Sequence, residues 1–304
     1  MRVFSHPACL AHEPGPTHAE RPDRLRAVTD ALRNAFVDLE WADAPQATRE
    51  QLLRVHDEAL VTQVLDARIE VLTQLDPDTF MSAGSAEAAL RCAGAGVAAV
   101  EAVMGGRERH VFCAVRPPGH HATGGVAMGF CLFNSIAVAA AHALAKHGLQ
   151  RVAIVDFDVH HGNGTQAIFE SEPRVLFASS HQLPLYPDTG QAHERGVGNI
   201  LNAPLAPGTG GEGFRATWQD QLLPRIDAFA PELVMISAGF DAHRLDPLAQ
   251  LELEADDYRW ITAELVAIAE RHAQGRLVSM LEGGYDLDGL RESSVAHVGV
   301  LRSA

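Results

Sequence analysis

The chain has 304 residues, of which 47% are hydrophobic and 21% are charged. This balance is typical of a globular domain and excludes an intrinsically disordered chain. The longest apolar stretch, near residues 136–145, is well short of the roughly 18 residues that a bilayer span requires. No apolar core of signal-peptide length follows Met1, so we expect a cytoplasmic protein that does not bind membranes.

Charge and cysteine usage narrow the possible partners. The chain carries 24 Lys and Arg against 39 Asp and Glu, a formal net charge of −15, and no basic run. Direct binding of nucleic acid is therefore not expected, whereas cationic ligands are favoured. The four cysteines form no CxxC pair, which argues against a thiolate zinc site and a disulfide framework and suits a reduced compartment. They are Cys9, Cys92, Cys113 and Cys131.

Short β-branched apolar runs alternate with longer segments of helical periodicity along the chain. In chain order, we predict a strand at Arg2–Ser5, helices at Asp23–Leu39, Glu58–Leu75 and Ser85–Met104, a strand at His110–Val115, a helix at Ser135–His147, a strand at Arg151–Phe157, a helix at Asn163–Glu170, a strand at Val175–Ser179, a helix at Gly213–Phe229, a strand at Leu233–Ala238, a helix at Ala255–His272 and a strand at Leu277–Leu281. Such alternation with wholly apolar strands predicts one α/β domain with a parallel sheet covered on both faces.

Five of these strands run directly into polar, mostly glycine-rich sequence at their carboxyl ends. The segments that follow them are 116–121, 156–165, 180–181, 237–247 and 282–285. Open parallel sheets bind ligands at the carboxyl ends of their strands. Five ends that carry His, Asp and Gly therefore predict one shared site.

The segment 156–160, Asp-Phe-Asp-Val-His, is the strongest local signal for a metal. Alternate side chains of an extended segment project to one side, so Asp158 and His160 can converge on one cation with Asp156 beside them. Carboxylate oxygen with imidazole nitrogen suits Zn²⁺ or Fe²⁺, and a catalytic ion needs a third protein ligand. Asp246, held before a proline, is the best third candidate, slightly ahead of two neighbours in the same loop. Those neighbours are Asp241 and His243.

Other residues near these strand ends have chemistry that suits a hydrolase. His120 and His121 follow a stiff Pro-Pro-Gly turn and could act as general base and acid beside an activated water, although exposed loop histidines are the ordinary alternative. Tyr285, after two glycines, could donate a hydrogen bond to a developing oxyanion, although loop tyrosines usually only pack. Phe130 and Tyr186 are candidate walls of an apolar slot.

Five motifs in this order resemble the zinc-dependent histone deacetylase family. They are RPPGHH (116–121), GFCLFN (129–134), DFDVHHGNGT (156–165), SAGFDAHRLDPLA (237–249) and LEGGY (281–285), preceded by the related element HAERPDR (18–24). The resemblance implies the arginase/deacetylase fold, a three-layer α/β/α arrangement around a mainly parallel eight-stranded sheet. It implies one deacetylase domain over residues 1–304. Asn at position 163 makes the chain similar to the class II members of the family and their bacterial relatives.

The same resemblance assigns roles to residues of the site. It implies one catalytic Zn²⁺ on Asp158, His160 and Asp246. It makes His121 the general base and then the acid, with His120 assisting electrostatically and Tyr285 polarising the acetyl carbonyl. The supporting residues would be Asp156 behind His120 and Asn163 behind His121. The acyl-lysine channel would contain Gly129, Phe130 and Tyr186. A structural K⁺ would be held by Asp156, Asp158, His160, Ser179 and Ser180.

Two positions depart from the family pattern. Ala19 replaces a proline that is usual in the early element, so the loop there can sit differently. Asn163 is neutral where other branches carry Asp, and it stabilises an imidazolium less, which should leave His121 with a lower pKa.

The expected activity is removal of acetyl or other acyl groups from lysine side chains of a protein or peptide. An acetylpolyamine deacetylase, acting on small acetylated amines, is the close rival and depends on an acidic residue at the channel mouth. Counting from Asp246 places that position at Leu253, between Glu252 and Glu254, which favours acyl-lysine. A non-hydrolysing acyl-lysine binder is a further alternative. A binuclear arginase-type site is disfavoured because Gly162 stands two residues beyond His160; oligomeric state stays open.

Overall fold

The computed structural model describes all 304 residues and contains an eight-stranded sheet and a separate two-stranded hairpin. The strands are β1 (Arg2–Ser5), β2 (Glu40–Asp43), β3 (Thr73–Asp76), β4 (Thr79–Met81), β5 (His110–Cys113), β6 (Val152–Asp156), β7 (Val175–Gln182), β8 (Ile200–Leu205), β9 (Leu233–Ala238) and β10 (Leu277–Leu281). The order in the large sheet is β2-β1-β5-β10-β9-β6-β7-β8, and every neighbouring pair is parallel. The hairpin pairs β3 with β4.

The helices form two groups that contact the large sheet. They are α1 (Pro22–Ala35), α2 (Arg49–Leu52), α3 (Glu58–Leu65), α4 (Ser85–Met104), α5 (Ser135–His147), α6 (Asn163–Phe169), α7 (Gly211–Thr217), α8 (Leu223–Phe229), α9 (Ala255–His272) and α10 (Leu287–Ser303), with a short 3₁₀ helix at Pro7–Ala11. Helix α4 packs against α5. In the other group, α10 packs against both α1 and α9. Every residue of β5, β6, β9 and β10 is buried, so both faces of the sheet centre are covered. The predicted three-layer α/β/α fold is confirmed, and its sheet is wholly parallel.

All six predicted strands are present, but two edge strands and the last helix were not predicted. The edge strand β2 is short and partly exposed, and β8 contains Pro204. Neither sequence therefore has the continuous apolar run by which buried strands were predicted. The predicted helix Glu58–Leu75 was too long, because α3 ends at Leu65 and a hairpin follows. Val71 and Leu72 are 74% and 47% exposed, so these two apolar residues do not belong to a buried helix face. A π-helical turn at Trp218–Leu222 separates α7 from α8, just before Pro224.

None of the helices combines the length and the apolar character needed to cross a lipid bilayer.

A buried ion-pair network joins the N-terminal segment to the loops at the strand ends. Glu20 accepts hydrogen bonds from Arg116 at 2.6 and 2.7 Å and from Arg24 at 3.0 Å, and all three side chains are at most 1% exposed. Burial alone would raise the pKa of Glu20, but the Arg116 guanidinium and the hydrogen bonds hold it well below its usual value. Arg24 also donates to the carbonyl oxygens of Glu282 and Gly284, so the network fixes the loop after β10.

We predict that Glu20→Gln destabilises the fold strongly, because it leaves two buried guanidinium groups without a counter-charge. Breaking a buried pair in this way costs about 3–5 kcal/mol. Urea denaturation measures the change, with Glu40→Gln as the matched control. Glu40 is 65% exposed and pairs only with Arg2 at the surface, so its replacement should cost less than about 1 kcal/mol. Equal stability of the two variants would contradict this role of Glu20.

Candidate active site

The polar loops at the carboxyl ends of the central strands meet at one place. His120 and His121 follow β5, Asp158 and His160 follow β6, and Tyr285 follows β10. Two aspartates after β9, Asp241 and Asp246, complete the group. The parallel register aligns these ends, which is why residues far apart in sequence share one site.

An acidic cluster with one imidazole lies at its centre. His160 Nδ1 lies 3.2 Å from Asp158 Oδ1 and 3.1 Å from Asp241 Oδ2. One ligand atom from each of the three residues lies within 4.8 Å of the other two, and all three residues are buried. The chain can approach this closely because of two glycines: a Cβ on Gly239 would collide with Asp158, and one on Gly283 would collide with Asp241.

Asp246 lies beside this cluster and is tied to the backbone around it. Its carboxylate accepts N–H groups from Tyr285 at 2.7 Å, Asp286 at 3.3 Å and Leu248 at 3.0 Å. Burial, and then the nearby charge of Asp241, raise the pKa of Asp246 to about 7. Asp241, one of the two competing candidates from the sequence, is thus the carboxylate of this loop in direct contact with His160, and Asp246 lies beside it.

His243, the third candidate in that loop, does not join the cluster. Its Nε2 lies 2.7 Å from Glu292 in α10, and its Nδ1 accepts the N–H of Leu245. Both ring nitrogens are therefore used in contacts outside the acidic centre.

The residues of the acidic centre fit a divalent cation. Asp156, Asp158 and Asp241 are completely buried, and Asp246 is 7% exposed. Burial raises the pKa of Asp156 to about 6, even with His120 opposing the rise, and burial and Asp158 raise the pKa of Asp241. Buried carboxylates in such number need compensating positive charge, and their oxygens together with one imidazole suit Zn²⁺.

The residues expected to hold K⁺ lie on two neighbouring strands. Asp156 on β6 is in register with Ser179 on β7. Ser179 Oγ lies 2.9 Å from His181 Nδ1, and Ser180 Oγ accepts a hydrogen bond from Trp218 Nε1 at 3.0 Å. The potassium site stays a prediction.

The two adjacent histidines have different partners and opposite pKa shifts. His120 Nδ1 lies 3.0 Å from Asp156 Oδ2, and His121 Nδ1 lies 2.7 Å from Asn163 Oδ1. Burial alone would lower the pKa of His120, but the charges of Asp158 and Asp156 raise it well above its usual value. Burial and the charges of His120 and His160 lower the pKa of His121 well below its usual value. Such a divided pair is suited to acid–base chemistry.

The tautomer of His121 follows from the two contacts of Asn163. Asn163 Nδ2 donates to the His121 carbonyl oxygen at 3.4 Å and to Met128 Sδ, which leaves Asn163 Oδ1 as the acceptor for His121 Nδ1–H. The remaining nitrogen, Nε2, therefore carries the free lone pair that a general base needs.

A cavity of about 220 Å³ leads to these groups. Its wall consists of Asp78, His121, Gly129, Phe130, His160, Leu185, Tyr186, Leu248 and Tyr285. The structure thus places the predicted channel residues Gly129, Phe130 and Tyr186 in its wall. Gly129 has a φ of 56°, and a Cβ there would collide with the His121 ring, so the wall requires glycine at that position.

Tyr285 lies in the wall between the acidic centre and the aromatic side chains. Its ring meets Phe130 edge-to-face at 5.8 Å, and the Arg24 guanidinium lies 4.8 Å from its centroid. Burial raises the pKa of Tyr285 well above its usual value, although Arg24 opposes the rise. The phenol therefore keeps its proton and can donate a hydrogen bond to a ligand in the cavity.

The prediction that Leu253 lies at the channel mouth was wrong. Leu253 is completely buried in the core, and its backbone bonds to Ala242 and Arg244. Counting along the sequence cannot show which way a side chain points. Three partly exposed residues that the sequence analysis missed line the cavity instead: Asp78, Leu185 and Leu248. Asp78 follows Pro77 in the hairpin turn, and only that turn signal marks it in the sequence.

The whole site lies within a recognised family domain. A model of the histone deacetylase domain matches residues 18–301. The chain is 40% identical over 295 residues to a probable deacetylase of Archaeoglobus fulgidus, covering 94% of this chain and 82% of that protein. It is 41% identical over 278 residues to a histone deacetylase-like amidohydrolase of Pseudomonas aeruginosa, covering 88% of this chain and 72% of that protein.

Two further similarities extend the comparison. The chain is 37% identical to the human polyamine deacetylase HDAC10 over 298 residues, which cover 90% of this chain and 43% of that protein. The crystal structure of the HDA15 HD domain superposes with a TM-score of 0.95 at 38% identity, covering 99% of this chain and 88% of that one. With its parallel sheet and the site at the strand ends, the chain belongs to the histone deacetylase family.

Proposed function

We propose that this chain is a zinc-dependent amidohydrolase that removes acetyl or other acyl groups from lysine side chains. The observation that carries the proposal is geometric: His120 Nδ1 lies on Asp156 and His121 Nδ1 on Asn163, beside the Asp158–His160–Asp241 cluster at the cavity. We further propose that the 304 residues form one catalytic domain.

The residues of the cavity account for the individual steps of amide hydrolysis. A zinc ion held by these residues would supply Lewis acidity and would lower the pKa of a nearby water. His121 Nε2 accepts the proton of the attacking water, and Tyr285 donates a hydrogen bond to the amide oxygen as negative charge develops there. His120, held by Asp156, stabilises that charge. His121 then returns its proton to the leaving amine, so one amide and one water yield one carboxylic acid and one amine.

We propose Asp158, His160 and Asp246 as the zinc ligands. Asp246 accepts N–H groups from Tyr285 and Leu248, both in the cavity wall, so its carboxylate lies close to where substrate arrives. Asp241 is the competing third ligand because of its contact with His160.

Purified protein should bind one zinc ion per chain, and chelation should abolish hydrolysis. Asp158→Ala and Asp246→Ala should each lose the ion, measured by elemental analysis after dialysis, because a site with two ligands is weak. Asp241→Ala should keep it. If Asp241→Ala loses zinc and Asp246→Ala retains it, the third ligand is Asp241. Full activity in metal-free protein would refute the mechanism.

His121→Ala should lower kcat by at least about 10²-fold, because it removes the general base. Zinc content and KM should change little, since the side chain is not a proposed ligand. His147→Ala, which replaces a histidine outside the cavity, is the control and should leave kcat unchanged. An active His121→Ala enzyme would transfer the role of base to His120.

The mouth of the cavity bears on the substrate class. Leu185 and Leu248 offer apolar contact for an alkyl chain, which supports acyl-lysine. Asp78 favours the second candidate, an acetylated polyamine, since its carboxylate could pair with a distant ammonium. One relative is named a polyamine deacetylase, and the net charge of −15 also suits cationic amines.

We predict that kcat/KM is higher for acetyl-lysine peptides than for acetylspermidine. Leu248→Glu should raise the acetylspermidine-to-peptide ratio by about tenfold, because a new carboxylate at the mouth pairs with the ammonium. Leu245→Glu, an exposed position in the same loop but outside the cavity wall, is the matched control and should leave the ratio unchanged. A wild-type enzyme at least about ten times more efficient on acetylspermidine would reverse the assignment.

A further inference from the structure

Glu282 is a buried carboxylate that has no part in the reaction derived above. It follows β10 directly, is 2% exposed and does not line the cavity. Its oxygens nevertheless receive three hydrogen bonds from neighbouring segments. A buried carboxylate so fully engaged holds its partners in place, because each would otherwise be left buried and unpaired.

The three partners of Glu282 lie on β9 and in the loop that follows β5, the two strands beside β10. Its Oε2 accepts the backbone N–H groups of Gly119 at 2.6 Å and His120 at 3.2 Å, in the loop after β5. Its Oε1 accepts the hydroxyl of Ser237 in β9 at 3.2 Å. Because β10 lies between β5 and β9, one carboxylate joins the carboxyl ends of three adjacent strands.

The carbonyl groups of the same loop are held from elsewhere. Asn134 Nδ2 donates to the carbonyl oxygen of Ala122 at 3.1 Å, and the N–H of Thr165 donates to that of His120 at 3.1 Å. Neither contact restrains the N–H groups of Gly119 and His120. Glu282 is therefore the side chain that fixes the side of the loop facing β10.

Glu282 and Tyr285 belong to one short segment. Two glycines separate them, and Arg24 donates to the carbonyl oxygens of Glu282 and Gly284. The segment that carries the phenol is thereby bonded to the loop that carries the two imidazoles. The hydrogen bonds of the Glu282 carboxylate thus connect the segment that carries Tyr285 to the loop that carries His120 and His121.

We propose that Glu282 is a positioning residue that clamps the backbone of the tandem-histidine loop to β10, and so sets the distance between the two imidazoles and the phenol of Tyr285. This inference rests on the proposed hydrolase function, because it assigns Glu282 a part in that reaction. Small displacements of reacting groups lower kcat more than substrate binding, since the transition state requires their alignment.

Glu282→Ala should lower kcat at least about tenfold, while KM stays within about threefold and zinc content is unchanged. Glu282→Gln should restore most of kcat. Its amide oxygen can accept the two N–H groups, and its NH₂ can donate to Ser237 Oγ. Glu282→Asp keeps the charge but shortens the side chain, so it should resemble the alanine variant. The Gln and Asp variants together separate hydrogen-bond geometry from charge.

Hydrogen exchange gives a readout that does not depend on activity. Amide exchange in residues 117–122 should accelerate in Glu282→Ala and Glu282→Asp but not in Glu282→Gln. The matched control is Asn199→Ala, which removes a buried side chain that holds the carbonyl groups of Phe169, Glu172 and Val175 in another loop. It should lower Tm without changing kcat or exchange in residues 117–122.

The outcomes distinguish this inference from the proposed function. If the wild-type enzyme hydrolyses acyl-lysine and Glu282→Ala keeps its kcat, the positioning role is wrong. A Glu282→Gln variant as impaired as Glu282→Ala, together with an active Glu282→Asp variant, would also overturn it, because charge rather than geometry would then matter. If the alanine variant does not fold, the Gln and Asp pair still decides. A wild-type enzyme that hydrolyses no amide refutes the proposed function. The exchange result still tests whether Glu282 holds the backbone of the tandem-histidine loop.

Discussion

The structure concentrates negative charge in a place that water barely reaches. Asp156, Asp158 and Asp241 are completely buried at the ends of adjacent parallel strands, with Asp246 and Glu282 nearly so. Ionised carboxylates at this density repel one another and lack solvation, which is why several of their pKa values rise. The fold holds them together through backbone N–H groups and glycines that allow close approach. A divalent cation at this place would relieve the repulsion, which is why the proposed function includes one.

The negative charge of these carboxylates also explains how two adjacent imidazoles acquire different roles. His120 faces Asp156 and Asp158, which favour its protonated form, whereas His121 faces a neutral amide and two other imidazoles. One histidine is thereby suited to stabilise negative charge and the other to accept a proton. The pKa values divide because the charges of Asp158 and Asp156 outweigh burial at His120, whereas burial and the charges of His120 and His160 act together at His121. Asn163 holds His121 Nδ1 but adds no negative charge that would oppose this lowering of the pKa.

The sequence predicted those features that depend on local spacing. Apolar strands alternating with helices predict the parallel sheet, as observed. Asp158 and His160 do lie together, but residues 158–160 form a bend after β6 and not the extended segment that the prediction assumed. The sequence failed where side-chain direction depends on tertiary packing. Leu253 looked like a mouth residue from its distance to Asp246 but points into the core. Asp78 carries no motif, and it reaches the cavity from the turn of a hairpin that begins near the predicted end of the helix Glu58–Leu75.

The most direct test of this account is a crystal structure of the purified protein with anomalous diffraction measured above and below the zinc absorption edge. The account predicts one strong peak per chain within bonding distance, roughly 2.0–2.2 Å, of the Asp158 carboxylate and His160, with a third ligand from the loop after β9. A fully active protein with no anomalous peak there, or with its only peak elsewhere in the chain, would contradict the claim that the buried carboxylates exist to hold the catalytic ion.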